Sequence, residues 1–254
     1  MSFATSWLVY FDANRRARVG VPSDARFDVH AELRGALVRS LQRFQIGEQG
    51  DGAHLRRGAV ASGDADYSAA VELFIKEEQE HARLLSEVLA RLNAPLLRWH
   101  WSDVCFTLLR RLLGLRWEVL VLMVAELIGK RYYQALHEGV SDRTLCAIFG
   151  QIMRDEIGHI AFHTEFLEQA FGTAPVPIRL MVCAGWWLLF RGACEVVVSD
   201  HASMLWAIGL PVAEFRADCC ALGDTLIARI ITAQSDVRCT LPLEDAIGRP
   251  RASC

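Results

Sequence analysis

The chain reads as an all-α protein, a four-helix bundle with additional helices at its C-terminal end. Three observations predict it. Apolar positions recur at helical period along nearly the whole chain, and no segment shows sustained strand alternation bounded by hairpin turns. Apolar residues make up 52% of the 254 and only 7 are Pro, which suits one large helical core with few breaks. A pattern of one Glu followed by Glu-x-x-His occurs twice, at Glu48/Glu78/His81 and again at Glu126/Glu156/His159.

Residues 1–26 form an N-terminal extension ahead of the bundle, which spans 27–172. Helix one is expected over 27–61, ending at Ser62-Gly63-Asp64-Ala65-Asp66. Helix two follows over 67–92, capped by Asp66 and stopped before Asn93-Ala94-Pro95. A connection over 96–114 is partly helical from Ser102. Helix three runs 115–138 and stops at Gly139, and helix four runs from an N-cap at Ser141 to Phe171, with Gly172 as its stop. Pro175 and Pro177 then break the chain before a C-terminal helical extension over 173–235, with helices at 177–208 and 212–234 packed on the bundle. The tail, 236–254, carries Pro242 and Pro250 and is expected to be loosely held.

The formal charge of −3 gives no electrostatic reason to expect nucleic acid or anionic lipid as partner. Arg15-Arg16-Ala17-Arg18 reads as solvated surface or pairing between helices. Met1 to Phe11 lacks the basic start of a secretion signal, and no C-x-x-C occurs among the 8 Cys. Buried, reduced thiols and a cytoplasmic location are therefore expected. Leu180 to Phe190 is strongly apolar but lies between Arg179 and Arg191, short of the roughly 20 residues of a span, so a core helix and no membrane span are expected.

Geometry ties the two motifs together. Glu48 and Glu78 lie roughly 21 Å and 18 Å along their helices from the turn between them, hence at nearly the same height on antiparallel neighbours. Glu126 and Glu156 flank the turn at Gly139 in the same way, which suggests a pseudo-twofold pairing of hairpins. On each Glu-x-x-His helix the i, i+3 spacing puts both side chains on one face. Four carboxylates formally neutralise two divalent ions, and two neutral imidazoles complete the set, so Glu48, Glu78, His81, Glu126, Glu156 and His159 are the expected metal ligands. Two irons are expected, with Mn or a mixed Mn/Fe pair equally compatible with these ligand types. Glu126, stranded among Leu120 to Ile128, argues against a plain surface role for the set.

With this signature, residues 28–171 resemble the ferritin-like di-iron carboxylate superfamily. Glu77-Glu78-Gln79-Glu80-His81-Ala82 resembles the rubrerythrin-like form of the motif. Asp155-Glu156-Ile157-Gly158-His159 resembles the form in bacterial multicomponent monooxygenases and ribonucleotide reductase small subunits. In those families the acid before the ligand Glu bonds a metal-bound His across the bundle. The resemblance thus implies that Asp155 supports His81 and that Glu77 supports His159. His163, four residues beyond His159, is expected in the second shell or the core. Tyr132 and Tyr133 are candidates for redox work or for packing, and His201 is expected to be structural.

The resemblance implies an oxygen-activating di-iron oxidase or oxygenase acting on a small or apolar organic substrate. A rubrerythrin-like protein that removes peroxide or oxygen is the alternative, weakened by Gly129 where rubrerythrins commonly add a Glu and by the missing rubredoxin-type cysteines. Non-enzymatic iron binding is a further alternative, against which the two-His set speaks. An external electron donor is implied, and the apolar C-terminal helices with Trp186, Trp187 and Trp206 make a homodimer plausible.

Overall fold

Caps and apolar stripes decide where the chain coils. The computed structural model describes residues 2–16, 18–22, 26–112 and 114–234, and every regular element among them is a helix. The extension ahead of the bundle is largely helix α1 (Phe3–Asn14), capped by Ser2, whose hydroxyl accepts from Thr5 N. Its Trp7 and Phe11 are fully buried, so α1 is part of the core rather than an appendage. It packs along α4, and Trp7 and Phe11 meet Phe162 with ring centroids 5.6 and 5.3 Å apart.

The single helix expected over 27–61 is two: α2 (Ala31–Glu48) and α3 (Ala53–Ala61). Gly50 and Gly52 explain the break, since Gly52 adopts φ +63° and a β-carbon there would meet Ile75 at 2.6 Å. Helix α4 (Ala65–Arg91) starts two residues earlier than expected. Its cap is Asp64, accepting from Tyr67 N, while Asp66 instead accepts from the Thr5 hydroxyl of α1 at 2.5 Å. After α5 (Trp101–Arg110) come α6 (Leu115–Gly139) and α7 (Arg143–Gly172). The cap of α7 is Asp142 rather than Ser141, because its carboxylate accepts from both Thr144 N and Leu145 N.

Helices α2 and α4 pack as one pair and α6 and α7 as the other, with α4 also against α7. Helices α8 (Val176–Ala207) and α9 (Val212–Thr232) pack on each other. Helix α8 lies along α2 and α6, and α9 along α6 and α7. Trp186 anchors α8 by donating from its indole to Leu120 O at 2.7 Å, and Arg229 holds Glu168 through two bonds of 2.6 and 2.7 Å. Helix α8 is continuous through Arg179 and Arg191, and by length and composition alone it could cross a membrane. Its inner stripe of Cys183, Trp186, Phe190, Cys194 and Val198 is nonetheless buried on the bundle. Cys105, Cys183, Cys194, Cys219 and Cys220 carry free thiols, whereas Cys146 is disulfide-bonded, so the reduced state expected of the cysteines does not extend to it. The tail over 236–254 lies outside the described residues.

One glycine decides how close α1 lies to α7. A β-carbon on Gly158 would meet a Tyr10 ring carbon at 2.8 Å, so the motif helix accepts α1 only because this position is bare. Gly158→Ala should destabilise the fold by roughly 1–3 kcal/mol in urea denaturation. Adding Tyr10→Ala should recover part of that loss, and strictly additive effects would show that the two residues do not meet.

Candidate metal centre

Four bundle helices each bring one part of the cluster. Glu48 is the last residue of α2, Glu78 and His81 stand on α4, Glu126 on α6, and Glu156 and His159 on α7. Both imidazoles are 0% exposed and Glu126 and Glu156 are 3% exposed. Ligand atoms of Glu48, Glu78, His81 and Glu156 lie within 4.8 Å of one another, and so do those of Glu78, Glu126, Glu156 and His159. Glu78 and Glu156 belong to both groups and stand between two poles, Glu48 with His81 and Glu126 with His159. His159 Nδ1 is 3.1 Å from Glu78 Oε1 and 3.4 Å from Glu126 Oε2. His81 Nδ1 is 3.6 Å from Glu78 Oε1 and 3.7 Å from Glu156 Oε1.

The outer face of each imidazole shows which nitrogen carries the proton. His81 Nε2 donates to Asp155 Oδ2 at 2.9 Å, and His159 Nε2 donates to Glu77 Oε2 at 3.0 Å. Ionised carboxylates only accept, so the hydrogen sits on Nε2 and the Nδ1 lone pair points inward. Both Nδ1 atoms, Glu78 Oε1, Glu126 Oε2 and Glu156 Oε2 are buried without a hydrogen-bond partner. Buried polar atoms almost always find partners, and five orphans facing one another form a donor set for cations. Four carboxylates and two imidazoles fit a pair of iron or manganese ions.

Electrostatics point the same way. Burial, then the charge of Glu78, push the Glu48 carboxyl well above its usual range, and burial with Glu126 does the same to Glu156. Burial alone would lower the pKa of His159, but the carboxylates of Glu126, Glu156, Glu77 and Glu78 raise it well above the ordinary histidine value. Without cations the cluster therefore gathers protons to relieve repulsion. Glu48 adds a second reason, because a carboxylate at the C-terminal end of α2 meets the negative end of the helix dipole, a place that favours a cation.

The two supporting acids are themselves held. Asn14 Nδ2 lies 2.9 Å from both Glu77 Oε1 and Asp155 Oδ1, Arg18 donates to both carboxylates, and Gln151 donates to Asp155 Oδ1 at 2.9 Å. Burial would raise the pKa of Asp155, yet the bond from His81 and the charge of Arg18 hold it below the usual range. Arg18 is thus a half-buried bridge while Arg15 and Arg16 pair with Asp12 on the surface. Asn14, Arg18 and Gln151 carry no spacing pattern that would have singled them out. Tyr133 Oη donates to Glu48 Oε1 at 2.8 Å, and burial and Glu48 raise its pKa. Tyr132 is one step away, bonded to Ser40, whose hydroxyl is 2.5 Å from His201 Nδ1.

His163 supports none of these groups by hydrogen bond. Its ring lies 4.7 Å from Phe74 and 5.0 Å from Phe162, and neither nitrogen has a partner. Burial, then the charge of His159, push its pKa down to about 3, so it stays neutral as a packing ring. Phe74 of α4 and Phe162 of α7 pack against the ring, and His163 belongs to neither group of ligand atoms.

Above the cluster lies a cavity of about 490 Å³. Glu48, Glu78, Glu126 and Glu156 form its floor, with Gly129 beside them. Phe44, Leu122, Val196, Val197 and Phe106 are among its walls, from α2, α6, α8 and α5.

No protein-family model and no curated protein matches the chain. Solved structures do. A tyrosine-to-phenylalanine variant of an R2-like ligand-binding oxidase with anaerobically reconstituted Mn/Fe cofactor is 11% identical at TM-score 0.66, covering 88% of this chain and 93% of that one. A second such variant gives 11% identity and TM-score 0.63, covering 89% and 92%. At this identity the likeness establishes the fold, and the fold is the ferritin-like helical bundle.

Asp155→Ala should weaken metal binding about 10–100-fold in a chelator-competition titration. Asp155→Asn should lose less, because its amide oxygen still accepts from His81 Nε2. Unchanged affinity in both variants would contradict the supporting role.

Proposed function

We propose that the chain is a non-haem oxidase or oxygenase that uses a pair of metal ions, two irons or a mixed Mn/Fe pair, to oxidise an apolar organic substrate with O2. The observation that carries this reading is the placement of the orphaned carboxylate–imidazole cluster at the floor of an apolar cavity. Glu48 and His81 would hold one ion, Glu126 and His159 the other, and Glu78 and Glu156 would be shared. The likeness to oxidases carrying Mn/Fe supports the choice of metals. Such a pair supplies electrons to O2 and oxidising power to a neighbouring substrate.

The chain's own residues do the rest. The largely apolar walls would limit water and hold an apolar molecule beside the four carboxylates. Asp155 and Glu77 fix the tautomers of His81 and His159, so that both present Nδ1 to the centre. Tyr133 keeps a proton on its Oη, 2.8 Å from Glu48, where it can meet negative charge that develops at that pole. Residues with the spacing of a rubredoxin-type iron centre are missing from the sequence, so the electrons come from a separate donor.

Ferrous-loaded protein mixed with O2 in a stopped-flow instrument should oxidise faster than with peroxide, and an apolar substrate should raise O2 consumption. Val196→Trp, which fills the cavity wall, should cut the substrate-dependent part by about tenfold or more with metal content unchanged. Much faster oxidation by peroxide, with no substrate-dependent O2 use, would favour the rubrerythrin-like alternative.

A further inference from the structure

Helix α5 turns its apolar stripe to solvent. Trp101, Val104, Cys105 and Leu108 follow the i, i+3, i+4, i+7 spacing of one helix face, Leu112 follows two residues past the helix end, and all are exposed. Leu108 is 63% exposed, Leu112 65%, and Trp99 just before the helix 68%. No residue of α5 is fully buried, and the helix rests on α6. Its inner side, through Phe106 and Leu109, lines the cavity above the carboxylates. Across that cavity α8 repeats the pattern, with Met181, Ala184, Gly185 and Leu188 exposed at i, i+3, i+4 and i+7. Trp101, Cys105 and Leu188 are both cavity-lining and exposed, so they mark the mouth. Water is a poor solvent for two such stripes flanking one opening.

Charge around this face is segregated. The segment 96–117 holds Arg98, Arg110, Arg111 and Arg116 against the single acid Asp103, in a chain whose net charge is −3. Arg110 faces Glu118 at 3.6 Å. Arg98, Arg111 and Arg116 are exposed and make no ion pair among the described residues, and Arg191 on α8 is exposed beside Leu188. A whole-chain sum hides this cluster, which is why net charge gave no reason to expect anionic lipid.

We propose that this face docks on the surface of an anionic phospholipid bilayer. Helix α5 lies in the plane of the headgroups, with Trp99, Trp101, Leu108 and Leu112 inserted and Arg98, Arg111 and Arg116 against lipid phosphates. At ten residues α5 is about 15 Å long, half the hydrocarbon thickness, so it lies on the membrane and does not cross it. The mouth between Trp101 and Leu188 then opens toward the acyl chains. A twofold contact with a second copy through α5 would instead set arginine against arginine, with Asp51 and Asp103 as the exposed or half-buried acids near them. The docking surface stands without the metal reading. Entry of an apolar substrate from the lipid phase rests on the proposed function.

The test is flotation of the full chain with vesicles of phosphatidylcholine alone and of phosphatidylcholine with phosphatidylglycerol. The protein should float with the anionic vesicles, less with neutral ones, and less again when salt is raised from about 0.1 M to about 1 M. Leu108→Asp and Leu112→Asp, both at exposed positions, should each lower the bound fraction about tenfold with helicity unchanged. Equal binding by variants and wild type, or no binding to either vesicle, would overturn the proposal. Absent binding together with a concentration-dependent dimer that Leu108→Asp dissolves would assign the face to a second copy instead. Flotation by protein that fails to hold metal would leave the docking surface standing and remove only the oxidase reading.

Discussion

Four carboxylates cannot share a dry space unless something positive joins them. Two like charges about 4 Å apart repel by roughly 4 kcal/mol even at an effective dielectric near 20. Glu48, Glu78, Glu126 and Glu156 bring four such groups into two overlapping clusters between the helices. Burial first, and the neighbouring carboxylates second, raise the pKa of Glu48 and Glu156, so the metal-free cluster favours protons where cations fit. Much else in the molecule follows from that constraint. The His81 and His159 rings must show Nδ1 inward, which requires Asp155 and Glu77 on their outer sides. Those two acids are buried as well, and Asn14 at the end of α1 and Arg18 beyond it reach in to bond and neutralise them.

Helix α1 therefore completes the centre from the outside. Its Trp7 and Phe11 fix it to α7, Gly158 lets Tyr10 lie flush against the motif helix, and the chain leaving α1 delivers Asn14 and Arg18. On the opposite side α8 and α5 line the cavity mostly with apolar side chains, so the carboxylates whose donor atoms gather between the helices also border a largely apolar space.

The bundle and its ligand spacing were legible because both are periodic. Helical repeats and two Glu-x-x-His motifs survive reading along one dimension, and their register follows from 1.5 Å per residue. The break after Glu48 was signalled by Gly50 and Gly52, but a helix interrupted for four residues looks continuous in its apolar pattern. Arg18 could not be placed, since a loop residue that reaches across the bundle leaves no local signature. For His163 the i+4 spacing from His159 left second shell and core both open, and the rings of Phe74 and Phe162 pack against it as a core ring. The exposed stripe of α5 was equally visible as a helical repeat, but which face of it meets water is decided only by where α6 lies.

The most direct measurement is metal stoichiometry after anaerobic ferrous loading, for the wild type beside Glu126→Ala. About two irons per chain are expected, with one or both lost in the variant. Zero or one iron per chain, unchanged by removing Glu126, would contradict the reading of the cluster as a two-metal site.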